Sequence, residues 1–283
     1  MIATPYKVST ITANGYIGQM VDMQLFFESV PLVDYDEGSS GFVWVEFEGH
    51  NRGTHVKRKR GGIRKSAFDN QVTVVYRLRS GYSPNVKIFR NGSIHMTGIK
   101  TLEDGERIVD VVAETVNKIV RDQAEEQEKL EQSDQSIERP ESQTKERNFI
   151  VRMINCDFSV PFKIRRKELH NLLVDHYMNT CSYQPETYPG VKLQYFCNTN
   201  NCNGICQCTR ACIGKGFGNE CKKVTIAIFA SGKMLITGAT TFDHVNETYA
   251  YIVRVIEKHK KSIEWIPPTI PSQMTVATVA VAV

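Results

Sequence analysis

The 283-residue sequence has no run of 18 apolar residues, so no helical membrane span is expected. Its first residues, MIATPYKVST, lack the basic segment and apolar run of a secretory signal. The expectation is an intracellular chain whose cysteines stay reduced. There is no Walker loop, no HExxH, and no carboxylate pair that motif or spacing would bring together, so nothing points to an enzyme. The stretch Arg121–Arg147 is almost devoid of apolar residues after Ala124, apart from Leu130 and Ile137. Glu, Gln, Ser and Pro dominate it, and nine acidic residues stand against five basic ones. Such a segment buries too little apolar surface to fold alone and reads as a linker, after a few more turns of the preceding helix. The closing MTVATVAVAV is apolar but too short to span a membrane, and reads as a flexible tail. Net charge is only +4, yet the linker holds a net of −4, so the rest carries +8. A basic body with an acidic insert suits a polyanionic partner; solvated surface charge would look the same.

What the sequence does contain is a repeat. FRNGSIHMTG (Phe89–Gly98) returns 140 residues later as FASGKMLITG (Phe229–Gly238). Each copy reads as an alternating strand, an Asn-Gly or Ser-Gly turn, and a second alternating strand. A helix pattern follows each hairpin. Thr101 and Asp104 form a capping box before Ile108, Val112, Val116, Ile119 and Val120. Thr240 and Asp243 open the second, with Val245, Tyr249, Ile252, Val253 and Ile256 on one face. Another helical pattern precedes each hairpin: Met20, Met23, Phe26 and Phe27 in the first half, and Leu169, Leu172, Leu173 and Tyr177 in the second. Each half thus reads strand, helix, several antiparallel strands, helix.

Alternation assigns the faces. Val86, Ile88, Ile94 and Met96 point towards the helices. Lys87, Phe89, His95 and Thr97 point away from them, as do Ala227, Phe229, Leu235 and Thr237 in the second copy. An uncovered face carrying aromatics and aliphatics marks a partner surface.

The residues themselves resemble those of the TATA-binding protein family. SGKMLITGA preceded by IF, SYQPETYPGV (Ser182–Val191) and NCDFSVPFKI (Asn155–Ile164) occur in that family's order. The resemblance spans Lys7–Val120 and Phe149–Ile263, and is fuller in the second half. It implies an α+β fold in which two pseudo-symmetric repeats form one curved antiparallel sheet, a saddle with helices on the convex face. The expected division is 1–124 for the first repeat, with a basic insert at 50–66, and 125–147 for the acidic linker. The second repeat then covers 148–266, with a cysteine-rich insert at 197–222, and 267–283 is the tail. The resemblance also implies double-stranded DNA as partner, bound and bent through an A·T-rich minor groove, a mode for which this family is the standard example. A transcription factor B-type protein and RNA polymerase would be further partners, with the protein monomeric on DNA.

Carried over by motif, Phe89 and Phe229 take one wedge position in each repeat, and Tyr188 takes the second position of the second repeat. Phe68 is the candidate for the fourth wedge, with Gln71 as the alternative that a length difference allows. Thr97 and Thr237 match base-contacting threonines. Lys87, His95, Leu235, Ala227 and Val8 complete the expected floor. Two paired asparagines of the family are missing, the matching positions being Tyr6 and Val151, while Lys87 and His95 replace apolar residues. Those departures put preference for a standard TATA sequence in doubt and imply a lineage outside cellular eukaryotes, such as a large DNA virus, acting in the nucleus, a viral factory or the virion.

Two inserts remain. HVKRKRGGIRK (His55–Lys65) concentrates Lys57, Arg58, Lys59, Arg60, Arg64 and Lys65, suited to phosphates through counterion release; a nuclear-import signal or a solvated loop would look the same. CNTNNCNGICQCTRACIGKGFGNEC holds Cys197, Cys202, Cys206, Cys208, Cys212 and Cys221. Thiolates so spaced can wrap tetrahedral zinc, as one site with spares or as a two-zinc cluster, with free thiols or disulfides the alternative. Cys156 and Cys181 read as core. The function expected is a transcription initiation factor that binds the minor groove. The alternatives are a saddle-shaped protein-interaction module that contacts partners through its cysteine loop, and a saddle domain of a nucleic-acid enzyme for which no catalytic segment is visible.

Overall fold

The computed structural model describes residues 2–34, 40–54, 70–130, 147–198, 203–216, 218 and 220–266. The first repeat runs β1 (Lys7–Tyr16), α1 (Met23–Ser29), β2 (Gly41–Phe47), β3 (His50–Gly53), β4 (Gln71–Arg77), β5 (Asn85–Phe89), β6 (Ser93–Ile99) and α2 (Leu102–Leu130). The second runs β7 (Asn148–Ser159), α3 (Arg166–Asn171) with a π-helical turn at Leu172–His176, β8 (Thr180–Ser182), β9 (Val191–Cys197), β10 (Lys222–Ile228), β11 (Lys233–Ala239) and α4 (Phe242–Ile263). The eleven strands of the described residues form one sheet in the order β3-β2-β4-β5-β6-β1-β7-β11-β10-β9-β8. The two halves meet where β1 pairs antiparallel with β7.

The hairpins that repeat in sequence repeat in structure. The Gly92 amide donates to Phe89 at 2.9 Å and the Gly232 amide to Phe229 at 3.0 Å. Both glycines adopt positive φ, 80° and 85°. A Cβ on Gly92 would run into the Gln19 carbonyl, and one on Gly232 into the carbonyls of Phe162 and Val160, so both turns need glycine.

Val86, Ile88, Ile94 and Met96 are at most 1% exposed and belong to one continuous core with Ile108, Val112, Val116 and Ile119 of α2. Their dyad mates Ile226, Ile228, Met234 and Ile236 meet Val245, Ile252 and Ile256 of α4 in the same way. Each such side chain, once buried, contributes roughly 2 kcal/mol.

Several sequence expectations shift. Thr101 does cap α2, its Oγ1 accepting from the Asp104 amide at 3.1 Å. Helix α4 is capped by Thr241, not Thr240: Thr241 Oγ1 accepts from the His244 amide at 3.2 Å. Met20 precedes α1 and is 70% exposed, and Val120 is 52% exposed on the outer side of α2. Helix α2 continues to Leu130, into the expected linker, as its good helix formers allow.

Two bulges interrupt the central pair of strands. The β1–β7 register slips between Val8 and Thr10 and again between Thr12 and Ala13. Ser9 is the extra residue at the first slip, and Arg152, between Val151 and Met153, is the extra residue at the second. Bulges bend a strand and re-aim a side chain.

Candidate nucleic-acid interface

The register locates the pseudo-twofold. Lys7 pairs with Asp157, Ile11 with Ile154, and Asn14 with Ile150. These pairs exchange partners about Ile11–Ile154, so the dyad passes there. On the face away from the helices, one rung of side chains crosses the first repeat as Thr73–Lys87–His95–Asn14–Ile150. Its counterpart in the second repeat is Lys192–Ala227–Leu235–Asp157–Lys7. One rung nearer the dyad, Thr97 stands between Asn85 and Thr12, and Thr237 stands beside Thr225. The threonines therefore occupy dyad-related places on the same face.

The aromatics lie at the outer ends of this face. Phe229 and Tyr188 are half-buried, with ring centroids 5.9 Å apart. Gly190 lets them meet: a Cβ there would come 2.8 Å from Tyr188 and 3.2 Å from Phe229. Lys192 Nζ sits 4.0 Å from the Tyr188 ring centroid, a cation–π contact. Phe89 is half-buried at the related end, and Gln71 lies directly across from it. By register Gln71 matches Gly190, since Val72 pairs with Ile88 as Val191 pairs with Ile228. The place that matches Tyr188 therefore falls before Gln71. Phe68 and the basic residues Lys57, Arg58, Lys59 and Arg60 lie outside the described residues.

Leu235 is 37% exposed on this face and Ala227 is 7% exposed beside it. Val8 is a correction. It pairs with Cys156, itself 1% exposed, and packs against the core on the helix side, because the Ser9 bulge puts Val8 out of step with the alternation of the rest of β1. Tyr6 and Val151 are also on the helix side. Tyr6 Oη donates to Asn246 Oδ1 at 2.7 Å, and Val151 pairs with the fully buried Ala13. The open face carries two other asparagines, Asn14 and Asn155.

Asn14 organises a cluster that alternation alone misses. Its amide nitrogen donates to His95 Nδ1 at 2.9 Å, and its oxygen accepts from Arg152 Nε at 3.1 Å and Nη2 at 3.3 Å. An imidazole that accepts at Nδ1 is neutral and carries its proton on Nε2. Burial, and then the charge of Lys87, hold the His95 pKa below its ordinary value. The cluster lines a concavity of about 510 Å³ that Phe89, Tyr16 and Ile150 also border. A signal was present in the sequence, since Asn14 and Arg152 are polar residues in otherwise apolar strands, but only the bulge brings Arg152 to this face.

The cysteine insert separates into two groups. The sulphurs of Cys206, Cys208, Cys212 and Cys221 all lie within 4.8 Å of one another. Cys208 and Cys221 sulphurs are 3.5 Å apart, and the Cys221 amide donates to Cys208 Sγ at 3.4 Å. Cys197 does not join them. Its thiol is buried against α4, 3.7 Å from Thr248 Oγ1, and burial pushes its pKa up to about 12. It ends β9 on the core face, so its spacing from the other cysteines misleads. Cys202 lies outside the described residues. Cys156 and Cys181 are free thiols, buried and half-buried respectively, with pKa values raised to about 11 and about 12 by burial.

Residues 148–259, from β7 into α4, match the family model described as "Transcription factor TFIID (or TATA-binding protein, TBP)". A "TATA-box-binding protein-like" protein of Acanthamoeba polyphaga mimivirus is 26% identical over 286 residues, covering 92% of this chain and 67% of the relative. The solved Methanococcus jannaschii TBP covers 90% of this chain and 99% of its own, at 15% identity and a TM-score of 0.48. The second repeat is thus similar to the TATA-binding protein family, and the chain over most of its length is similar to a TATA-box-binding protein-like relative.

Proposed function

We propose that the protein binds double-stranded DNA through the minor groove on the open face of its sheet, bends it, and acts in transcription initiation. The observation that carries this reading is the placement of Phe229 with Tyr188, and of Phe89, at the two outer ends of one helix-free face whose centre holds Thr97 and Thr237. The minor groove separates A·T from G·C chiefly by the guanine 2-amino group. Where the floor is apolar that group is left unpaired, so Ala227 and the threonine methyls favour A·T steps. Aromatic wedges cost a few kcal/mol per unstacked step, which the added contact of bent DNA offsets. Lys87, Arg152 and Lys192 supply positive charge, and the insert with Lys57–Arg60 adds phosphate contacts. A transcription factor B-type protein and RNA polymerase are the partners this function calls for, with the protein monomeric on DNA. The mimivirus relative supports a viral setting, in the nucleus or a viral factory.

Zinc is the ion that the four-cysteine cluster suits. Tetrahedral zinc with Zn–S bonds of about 2.3 Å requires sulphurs about 3.8 Å apart. The 3.5 Å Cys208–Cys221 separation and the 4.8 Å limit on the whole set fit that demand. Cys206, Cys208, Cys212 and Cys221 would hold it, and zinc there closes the loop that interrupts β9 and β10.

Fluorescence anisotropy with A·T-rich and G·C-rich duplexes across a salt series tests the reading. Tighter A·T binding that weakens linearly with log salt is expected. A flat response to both duplexes would overturn it, leaving a protein-interaction module with the cysteine loop as contact surface. Replacing Phe89 and Phe229 together by Ala is expected to abolish bending, read as energy transfer across an end-labelled duplex.

A further inference from the structure

The two central bulges are related by the dyad: Ser9 and Arg152 stand 143 residues apart, as do Asn14 and Asp157, and Lys7 and Ile150. Each bulge residue bonds to a polar residue of the other central strand, and the two partners are themselves dyad mates. Arg152 donates to Asn14 Oδ1, and Ser9 Oγ bonds to Asp157 Oδ1. The neighbour across the next strand is His95 in one corner and Leu235 in the other. Both corners border concavities, of about 510 and 340 Å³. The frame is the same twice and the chemistry is opposite: guanidinium, amide and imidazole N–H in the first repeat; hydroxyl, carboxylate and alkyl in the second.

Resting on the minor-groove reading, we infer that the floor is directional: the Arg152–Asn14–His95 corner requires an A·T step, and the Ser9–Asp157 corner admits a G·C step. The chemistry is that of the groove itself. All four base pairs present acceptors there, adenine N3 and thymine O2 among them, and only guanine adds a donor, its 2-amino group. A corner made of N–H donors pairs with acceptors and meets a guanine amino group donor to donor. A corner with a free carboxylate oxygen accepts from that amino group. Lys7, paired across from Asp157, and Lys233 nearby offset the carboxylate's repulsion from phosphates.

The test uses a self-complementary A·T duplex, which the protein can bind in either direction. A single G·C pair is placed at one of two mirrored steps, moved outward from the centre through a series, then at both. With a directional floor, a single substitution at the critical step costs at most about twofold, because the protein turns to place it under Asp157. Substituting both mirrored steps costs about tenfold or more, since one then falls under Arg152. Inosine, which lacks the 2-amino group, restores binding at the doubly substituted site. Arg152→Ser, which gives that bulge the residue its mate carries, lowers the double penalty; Asp157→Leu makes the single substitution costly. If single and double substitutions multiply simply at every step, or if Arg152→Ser leaves the double penalty unchanged, the floor is not directional and the inference falls while the DNA reading stands. Failure to bind any A·T duplex overturns the DNA reading and this inference with it.

Discussion

His95 is neutral in the free protein because it is partly buried and faces Lys87 on β5, Asn14 on β1 and Arg152 on β7. In the proposed DNA complex, phosphates would reverse that balance by favouring the imidazolium. Asn14 has one amide oxygen; once Nδ1 is protonated that oxygen turns to it and releases Arg152. That complex would bind more protons than the free protein, so affinity is expected to rise as pH falls towards the lowered His95 pKa. Binding measured between pH 5.5 and 8 is expected to show this, and His95→Gln to flatten it; a pH-independent wild type would contradict the placement. Folding runs the other way. A histidine whose folded pKa is lowered leaves stability intact above the unfolded value and loses it as pH falls through the folded one. His244 and His259, also lowered by burial, add to that loss, so the titration belongs where the protein is still folded. At this scale Phe89 and Phe229 were legible in the sequence because strict alternation holds in both hairpins. Arg152 and Val8 were not, because one extra residue inverts every face beyond it.

Among the elements, the cysteine insert is where spacing informed least. The sequence offers six thiols at unlike intervals, and proximity in the fold selects Cys206, Cys208, Cys212 and Cys221. Cys197 belongs to β9 and to the helix behind it. The expected outcome is a pair of unlike variants. Cys208→Ser loses the metal, measured as zinc per chain, and lowers the melting temperature of metal-loaded protein; Cys197→Ser keeps the zinc. Zinc well below one per chain in the wild type would exclude the site, and loss from Cys197→Ser alone would reassign it. The buried thiols make a separate prediction. Cys156 and Cys181 stay protonated in the fold to about 11 and about 12, against an ordinary 9.0. The unfolded chain therefore sheds those protons first, and stability falls as pH rises above about 9. Urea midpoints at pH 8 and pH 10 measure this, and equal midpoints would count against their burial. The helices were read well, since period 3.6 survives any single misplaced residue. Their ends were not: Thr240 and Thr241 are equally good caps in sequence, and only geometry chooses Thr241.

For the whole molecule, the repeat made the fold legible, because two copies of a half with one bare sheet edge must join edge to edge. What the sequence hid is how closely the halves interlock. The chain before β1 crosses to the second repeat: Tyr249 Oη donates to the Thr4 carbonyl at 2.9 Å, the Ile2 amide donates to Glu257 at 2.9 Å, and Tyr6 stacks edge-on to Tyr249 at 5.4 Å. The start of the second repeat crosses back. Phe149 packs against Gly105 of α2, where a Cβ would come 2.5 Å from its ring. The Arg147–Asp110 pair beside it is exposed and contributes little. Nine paired positions along β1–β7 and a core shared across the dyad hold the halves together among the described residues. One peptide cut between residues 131 and 146, made at an introduced protease site, is therefore expected to leave both fragments in one particle by size-exclusion chromatography. That particle should bind A·T-rich DNA as the intact chain does. Fragments that separate under native conditions would show that the halves depend on the tether, and the dyad pairing would then be too weak to hold a single floor against a bent duplex.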